Sequence, residues 1–169
     1  MTNAKVLSKQ NVLALTTFIV LVAVAVIAPI FKIQYITGPI VNATIILSVA
    51  LLGFENAVFV SLLPSPIALS VGLLPVVLLP MTPFIIIGNV IFAFVFSKFK
   101  TKDYWLGITL GAALKFLFIF LSAEFLIKMI LKKELAEAVM AMMSWPQVVT
   151  ALAGGVIAFG VLKIVKKKN

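Results

Sequence analysis

Polar side chains inside the apolar runs of this 169-residue chain are few, and they are the groups that could do chemistry. Asn42, Asn89, Lys115, Ser122 and Gln147 each stand in an otherwise apolar stretch. Three carboxamides, a hydroxyl and one ammonium offer donors, acceptors and a single positive charge. That inventory suits the binding of a small polar or anionic molecule. It does not suit catalysis. The chain has no Cys and no His, so thiolate and imidazole are absent both as metal ligands and as nucleophile or base. The five acidic residues, Glu55, Asp103, Glu124, Glu134 and Glu137, are scattered. No two share an obvious helical face as an acid/base pair would. The reading is a non-enzyme with no metal and no cofactor.

The elements that must position these groups follow from composition. The chain is 63% hydrophobic and 11% charged, whereas a soluble domain carries about 25% charged residues. It cannot cover a water-facing surface. A membrane-crossing helix needs about 20 mostly apolar residues, and the pattern predicts six of them over 10–31, 36–54, 56–74, 83–98, 104–124 and 146–163. Residues 56–97 are uncharged throughout. At about 1.5 Å per residue they are too long for one crossing of a ~30 Å core, so a break is expected in the Pro-rich stretch 75–83. Pro64 and Pro66 predict a kink in the third span. The first run is longer than a secretory signal and lacks a clear cleavage site, so it is expected to stay. Residues 128–144 read as a short amphipathic helix at the membrane interface. The expected fold is an all-α integral membrane protein, a six-transmembrane-helix bundle in one membrane domain over 1–169.

The net charge of +9 comes from 14 basic residues, all Lys. All but Lys115, which lies within a span, sit at the ends of apolar runs, where they orient spans, so nucleic-acid binding is not expected. With the N-terminus inside, the inner segments carry nine lysines (Lys5, Lys9, Lys98, Lys100, Lys102, Lys163, Lys166, Lys167, Lys168) and the outer ones four (Lys32, Lys128, Lys132, Lys133). The bias places both termini in the cytoplasm.

Depth follows from the same orientation. At about 1.5 Å per residue, Asn42 lies about 6 Å below Gly38, Asn89 about 9 Å below Pro83 and Lys115 about 12 Å below Ala123. Ser122 and Gln147 sit near the outer boundary, so all five occupy the outer half. Gly107, Gly111, Lys115, Phe118 and Ser122 form one helical stripe, and Gln147, Thr150, Ala151, Gly154 and Ala158 another. Such stripes face inward, and on their own they fit pure helix packing as well as a ligand site. Glu124, nine residues after Lys115, is half a turn out of phase with it, and Glu55 is a poor match in depth. Tyr35 and Trp145 stand near the outer opening with the loop 75–83 and the Gly38-Pro39 turn. No nucleotide-binding motif G-x-x-x-x-G-K-[ST] occurs. A stand-alone transporter or channel, or a ligand-free structural membrane protein, stays open on these residues.

The segments Ile36-Thr37-Gly38-Pro39-Ile40-Val41-Asn42 and Pro80-Met81-Thr82-Pro83-Phe84 through Gly88-Asn89 resemble the first loop into span 2 and the third loop into span 4 of the substrate-binding S components of energy-coupling factor (ECF) transporters. Size, span number and polar outer half resemble that family too. The resemblance implies a multi-pass protein of a prokaryotic cell membrane that binds a vitamin or related micronutrient on its extracellular side. It further implies partners: a membrane coupling subunit and two ATPase subunits. The family grips its coupling subunit through A-x-x-x-A in span 1. Here that motif is missing, and Ala14, Thr17, Leu21, Ala25 and Ala28 form a stripe expected to serve the same packing purpose. The substrate-binding residues expected are Asn42, Asn89, Lys115, Ser122, Gln147, Tyr35 and Trp145, and the partner interface Ala14, Thr17, Ala25 and Ala28.

Overall fold

The computed structural model describes residues 8–130 and 133–168. Of the residues used above, Lys5 and Lys132 lie outside the described ones, as do the side chains of Lys128, Lys133, Glu134 and Lys168. All regular structure among the described residues is helical: α1 (Lys9–Ile27), α2 (Gln34–Leu52), α3 (Phe54–Leu62), α4 (Pro64–Ser70), α5 (Thr82–Phe99), α6 (Tyr104–Ile130), α7 (Lys133–Met143) and α8 (Trp145–Lys168). Two short 3-10 turns, Ala28–Phe31 and Val76–Met81, precede α2 and α5. Five helical segments are long and apolar enough to cross a membrane, and Phe54–Ser70 is a shorter apolar one. Large apolar side chains such as Leu13, Val20, Phe59, Leu117, Phe125 and Val156 cover the outside. This is the make-up of a multi-pass membrane protein.

α2 is the central helix. Its residues Asn42 to Val49 are all buried, so it is covered on every side. It packs on α8, α3, α1 and α5, and α6 closes the bundle against α5 and α8. Small residues set the closest approaches. A Cβ on Gly154 of α8 would lie 2.6 Å from Asn42 Cβ and 2.9 Å from the Pro39 carbonyl, and one on Gly38 would lie 2.6 Å from Thr150 Cβ. Without those side chains, two backbones in an apolar medium come into contact and gain dispersion energy.

The structure departs from the sequence expectation in four places. The third span does not merely kink. It breaks at Leu63, and Pro64 opens α4. Pro lacks the N–H that the first turn leaves unpaired anyway, so it favours a fresh helix start over helix continuation. α4 ends at Ser70, and two residues on Gly72 has a left-handed φ of 71°. Leu73 N–H donates to the Ala68 carbonyl and Gly72 N–H to that of Leu69, at 2.7 and 3.1 Å, the pairing that terminates helices in a glycine. Secondly, Gly38-Pro39 is not a turn but part of α2, which begins at Gln34. Gly38 is there because Thr150 leaves no room for a side chain.

Thirdly, the amphipathic segment expected over 128–144 is divided. α6 runs on to Ile130, and the separate α7 buries Val139 and Met143 in one cluster with Leu78, Met81, Ile119 and Leu126. It caps the bundle end through this packing. Fourthly, Ala25 and Ala28 cannot form a partner interface directly, because they are 0% and 2% exposed within the chain itself. α1 uses its small residues to settle on α2, α3 and α4. Ala14 is exposed and Thr17 is half-buried. Ala14 lines a separate shallow groove with Phe18, Leu51 and Phe59.

Candidate functional site

The beginnings of α2, α4, α5 and α8 and the end of α7 meet at one end of the bundle, and they enclose a cavity of about 320 Å³. α6 supplies Lys115 to it, and the segment 72–75 together with Leu78 of the second 3-10 turn forms one wall. Four residues chosen from sequence, Asn42, Asn89, Lys115 and Gln147, line this cavity. Their residue exposures are 2%, 4%, 3% and 9%. Three others stand apart. Tyr35 and Trp145 are exposed, at 60% and 71%, and Trp145 stacks on Phe116 at 6.0 Å between ring centroids. The Ser122 hydroxyl donates to the Phe118 carbonyl at 2.7 Å within its own helix. None of the three is among the lining residues.

The buried ammonium is the centre of the arrangement. Lys115 Nζ donates to Asn42 Oδ1 at 2.6 Å. Because lysine has donors only, this contact fixes which way round the Asn42 amide sits. Asn42 Nδ2 then donates to the Gly38 carbonyl at 2.9 Å and reaches Thr150 Oγ1 at 3.5 Å. Thr150 in turn donates to the Pro146 carbonyl at 2.7 Å. So α2 holds the lysine of α6, and α8 holds α2. The Phe92 ring lies 5.7 Å from Nζ and adds a weak cation–π attraction. Neither Glu55 nor Glu124 pairs with Lys115; its acceptor is a neutral amide.

What this leaves unused is informative. An ammonium has three donors, and Asn42 takes one. The Asn89 carboxamide makes no hydrogen bond among the described residues, although the residue is buried and borders the cavity. A polar group in an apolar medium is stabilised only when it is paired. Two ammonium hydrogens and the Asn89 amide therefore favour a polar occupant of the cavity.

Compared with protein-family models, curated proteins and solved structures, the chain matches none.

Several lining residues were not singled out from sequence. Gln34 Nε2 and Gln147 Nε2 both donate to the Met142 carbonyl, at 2.6 and 3.1 Å. They tie the last turn of α7 to α2 and α8, and they place Met142 and Met143 in the cavity wall. Thr37 also lines the cavity, its hydroxyl donating to the Ala28 carbonyl at 3.0 Å. Lys32, exposed and with φ at 53°, stands in the lining as a second positive charge. Thr150 lies on the small-residue stripe of α8, and that stripe was its only signal. Gln34 precedes the expected span and carried no signal.

Beyond the cavity, along α2, the packing is mainly apolar; the exceptions are the buried hydroxyls of Thr44, which donates to the Val41 carbonyl, and Ser48, which has no hydrogen-bond partner among the described residues. Ile45, Ile46 and Val49 share a buried cluster with Phe92, Phe96 and Ile108. The cavity thus has an apolar floor under Lys115 and Asn42.

Proposed function

We propose that this chain is the substrate-capture subunit of an importer of the energy-coupling factor type, working without chemistry of its own. It would take up a vitamin-like, anionic small molecule on the extracellular side of a prokaryotic cell membrane. A separate coupling subunit and two ATPases would supply the energy. The observation that carries this reading is the buried lysine of the cavity. Its donors are only partly used, in a chamber that is polar at one end and sealed by apolar packing at the other. A sealed floor favours capture over conduction, because conduction needs polar groups through both leaflets. The absence of a phosphate-binding motif from the sequence agrees with an external engine.

In this reading the chain crosses the membrane six times, with the broken pair α3–α4 as the short third crossing and both termini cytoplasmic. The lysine asymmetry supports that orientation. Labelling of terminal tags tests it, and accessibility of either terminus from outside would defeat it. The function is tested in liposomes holding this chain alone. The expected result is ligand binding without ATP hydrolysis and without accumulation. Concentrative uptake by the chain alone would rule out the capture-subunit reading.

A further inference from the structure

The cavity also defines the class of molecule it takes, and this step rests on the capture reading above. We propose that its ligand is a small, water-borne carboxylic acid with a saturated, non-aromatic body. Its carboxylate would be held between Lys115 and Asn89.

The head group follows from donor arithmetic. Two hydrogens of the Lys115 ammonium and the two amide hydrogens of Asn89 have no acceptor among the described residues. A carboxylate offers about four lone-pair sites on two oxygens, so it satisfies both side chains at once. One buried cation matches one negative charge. Among the described residues no acidic one is in the lining, so nothing there favours a cationic ligand. Exposed Lys32 adds attraction for an anion approaching the opening.

The body follows from what the walls are made of. Their apolar part is Pro, Leu, Ile, Val and Met, interspersed with Gln34, Thr37, Ser65, Gln147 and Thr150, and among the described residues no Phe, Tyr or Trp is in the lining. The chain has eighteen aromatic residues (14 Phe, 2 Trp, 2 Tyr), so their exclusion from the cavity is not a matter of supply. Planar aromatic ligands gain from ring-on-ring contact, and this cavity provides none. Aliphatic walls with two flexible methionines instead fit a saturated chain or ring by shape and dispersion. A volume of about 320 Å³ is at the small end of ligand pockets, which fits a small acid.

The full-length chain in lipid nanodiscs, with empty nanodiscs as the blank, is titrated calorimetrically with four probes of matched size. These are octanoate, octanamide, cyclohexylacetate and phenylacetate. Octanoate should bind at least about tenfold tighter than octanamide, the effect of a charge-assisted hydrogen bond. Cyclohexylacetate should bind at least as tightly as phenylacetate. Lys115→Met should erase the gap between octanoate and octanamide. If that variant fails to fold, Asn89→Ala should narrow the gap instead. Palmitate should compete poorly, and strong displacement of octanoate by palmitate would assign the site to a bilayer fatty acid. Equal binding of octanamide, phenylacetate tighter by tenfold, survival of the gap in the folded variants, or binding of no probe would each overturn the ligand class. None of these results touches the capture reading, which fails instead if the chain alone accumulates substrate.

Discussion

Gly154 offers a quantitative test of how the site is positioned. It lies on α8 where that helix meets α2 beside Asn42. In Gly154→Ala the new methyl group would meet Asn42 Cβ at 2.6 Å, the Ala43 nitrogen at 2.9 Å and the Pro39 carbonyl oxygen at 2.9 Å. Two of the three are backbone atoms, which cannot rotate away, so the two helices must separate. Overpacking of this kind costs about 1–3 kcal/mol. The same substitution also gains about 0.5–1 kcal/mol, because alanine suits a helix interior better than glycine. Gly160, six residues along the same helix, has nothing within 4 Å of a built Cβ. Gly160→Ala gains the helical term without the clash, and the difference between the two variants isolates the clash. At about 2–4 °C per kcal/mol for a chain of this size, Gly154→Ala should melt about 2–12 °C below Gly160→Ala. The assay is thermal unfolding in one detergent, followed by size-exclusion recovery. Because the separation pulls Asn42 away from its neighbours, ligand affinity should fall in Gly154→Ala and stay unchanged in Gly160→Ala. Equal melting points, or an unchanged affinity in Gly154→Ala, would refute the claim that this contact sets the site.

Three further outcomes follow from the same geometry. Asn89→Ala removes no hydrogen bond within the described protein, so melting should hardly move while ligand affinity falls about 10- to 150-fold, the effect of a hydrogen bond to a charged group. Gln34→Ala removes one of two amides on the Met142 carbonyl, and amide hydrogen exchange in the last turn of α7 should quicken, more so in the double variant with Gln147→Ala; unchanged exchange in the double variant would show that these bonds do not hold α7. Ala25→Phe should lower stability outright, because Ala25 is fully buried; a stable variant that has lost only its partners would restore the docking role for that position.

The legible parts of the fold were those written in one dimension. Span positions follow from runs of apolar residues, and the inward faces of α6 and α8 follow from stripes of small and polar residues. Asn42, Asn89, Lys115 and Gln147 were legible because each would be costly against lipid. What the sequence did not disclose was pairing across helices. A stripe says which way a residue faces and not what it meets, so phase and depth disfavour Glu124 and Glu55 as partners for Lys115 without naming its acceptor. The structure supplies an amide instead, because α2 is central and brings Asn42 to the ammonium. Tyr35 and Trp145 were drawn towards the site by their place near its opening, yet their amphipathic rings are exposed, as at a membrane boundary. Ala25 and Ala28 stand in the expected partner interface through the family resemblance and their small size, and small size serves internal packing equally well. Gln34 and Met142 were hidden because their roles depend on where α7 folds back.

The central claim is that Lys115 holds an anionic ligand in the cavity. Its most direct test is mass spectrometry of small molecules extracted from the full-length protein and from Lys115→Met, each purified from the same cells and shown to melt alike. Lys115→Met keeps the apolar bulk and removes the charge. The account predicts an acid recovered in stoichiometric amount from the unmodified protein and lost from Lys115→Met. Recovery of the same molecule in equal amount from both would contradict it.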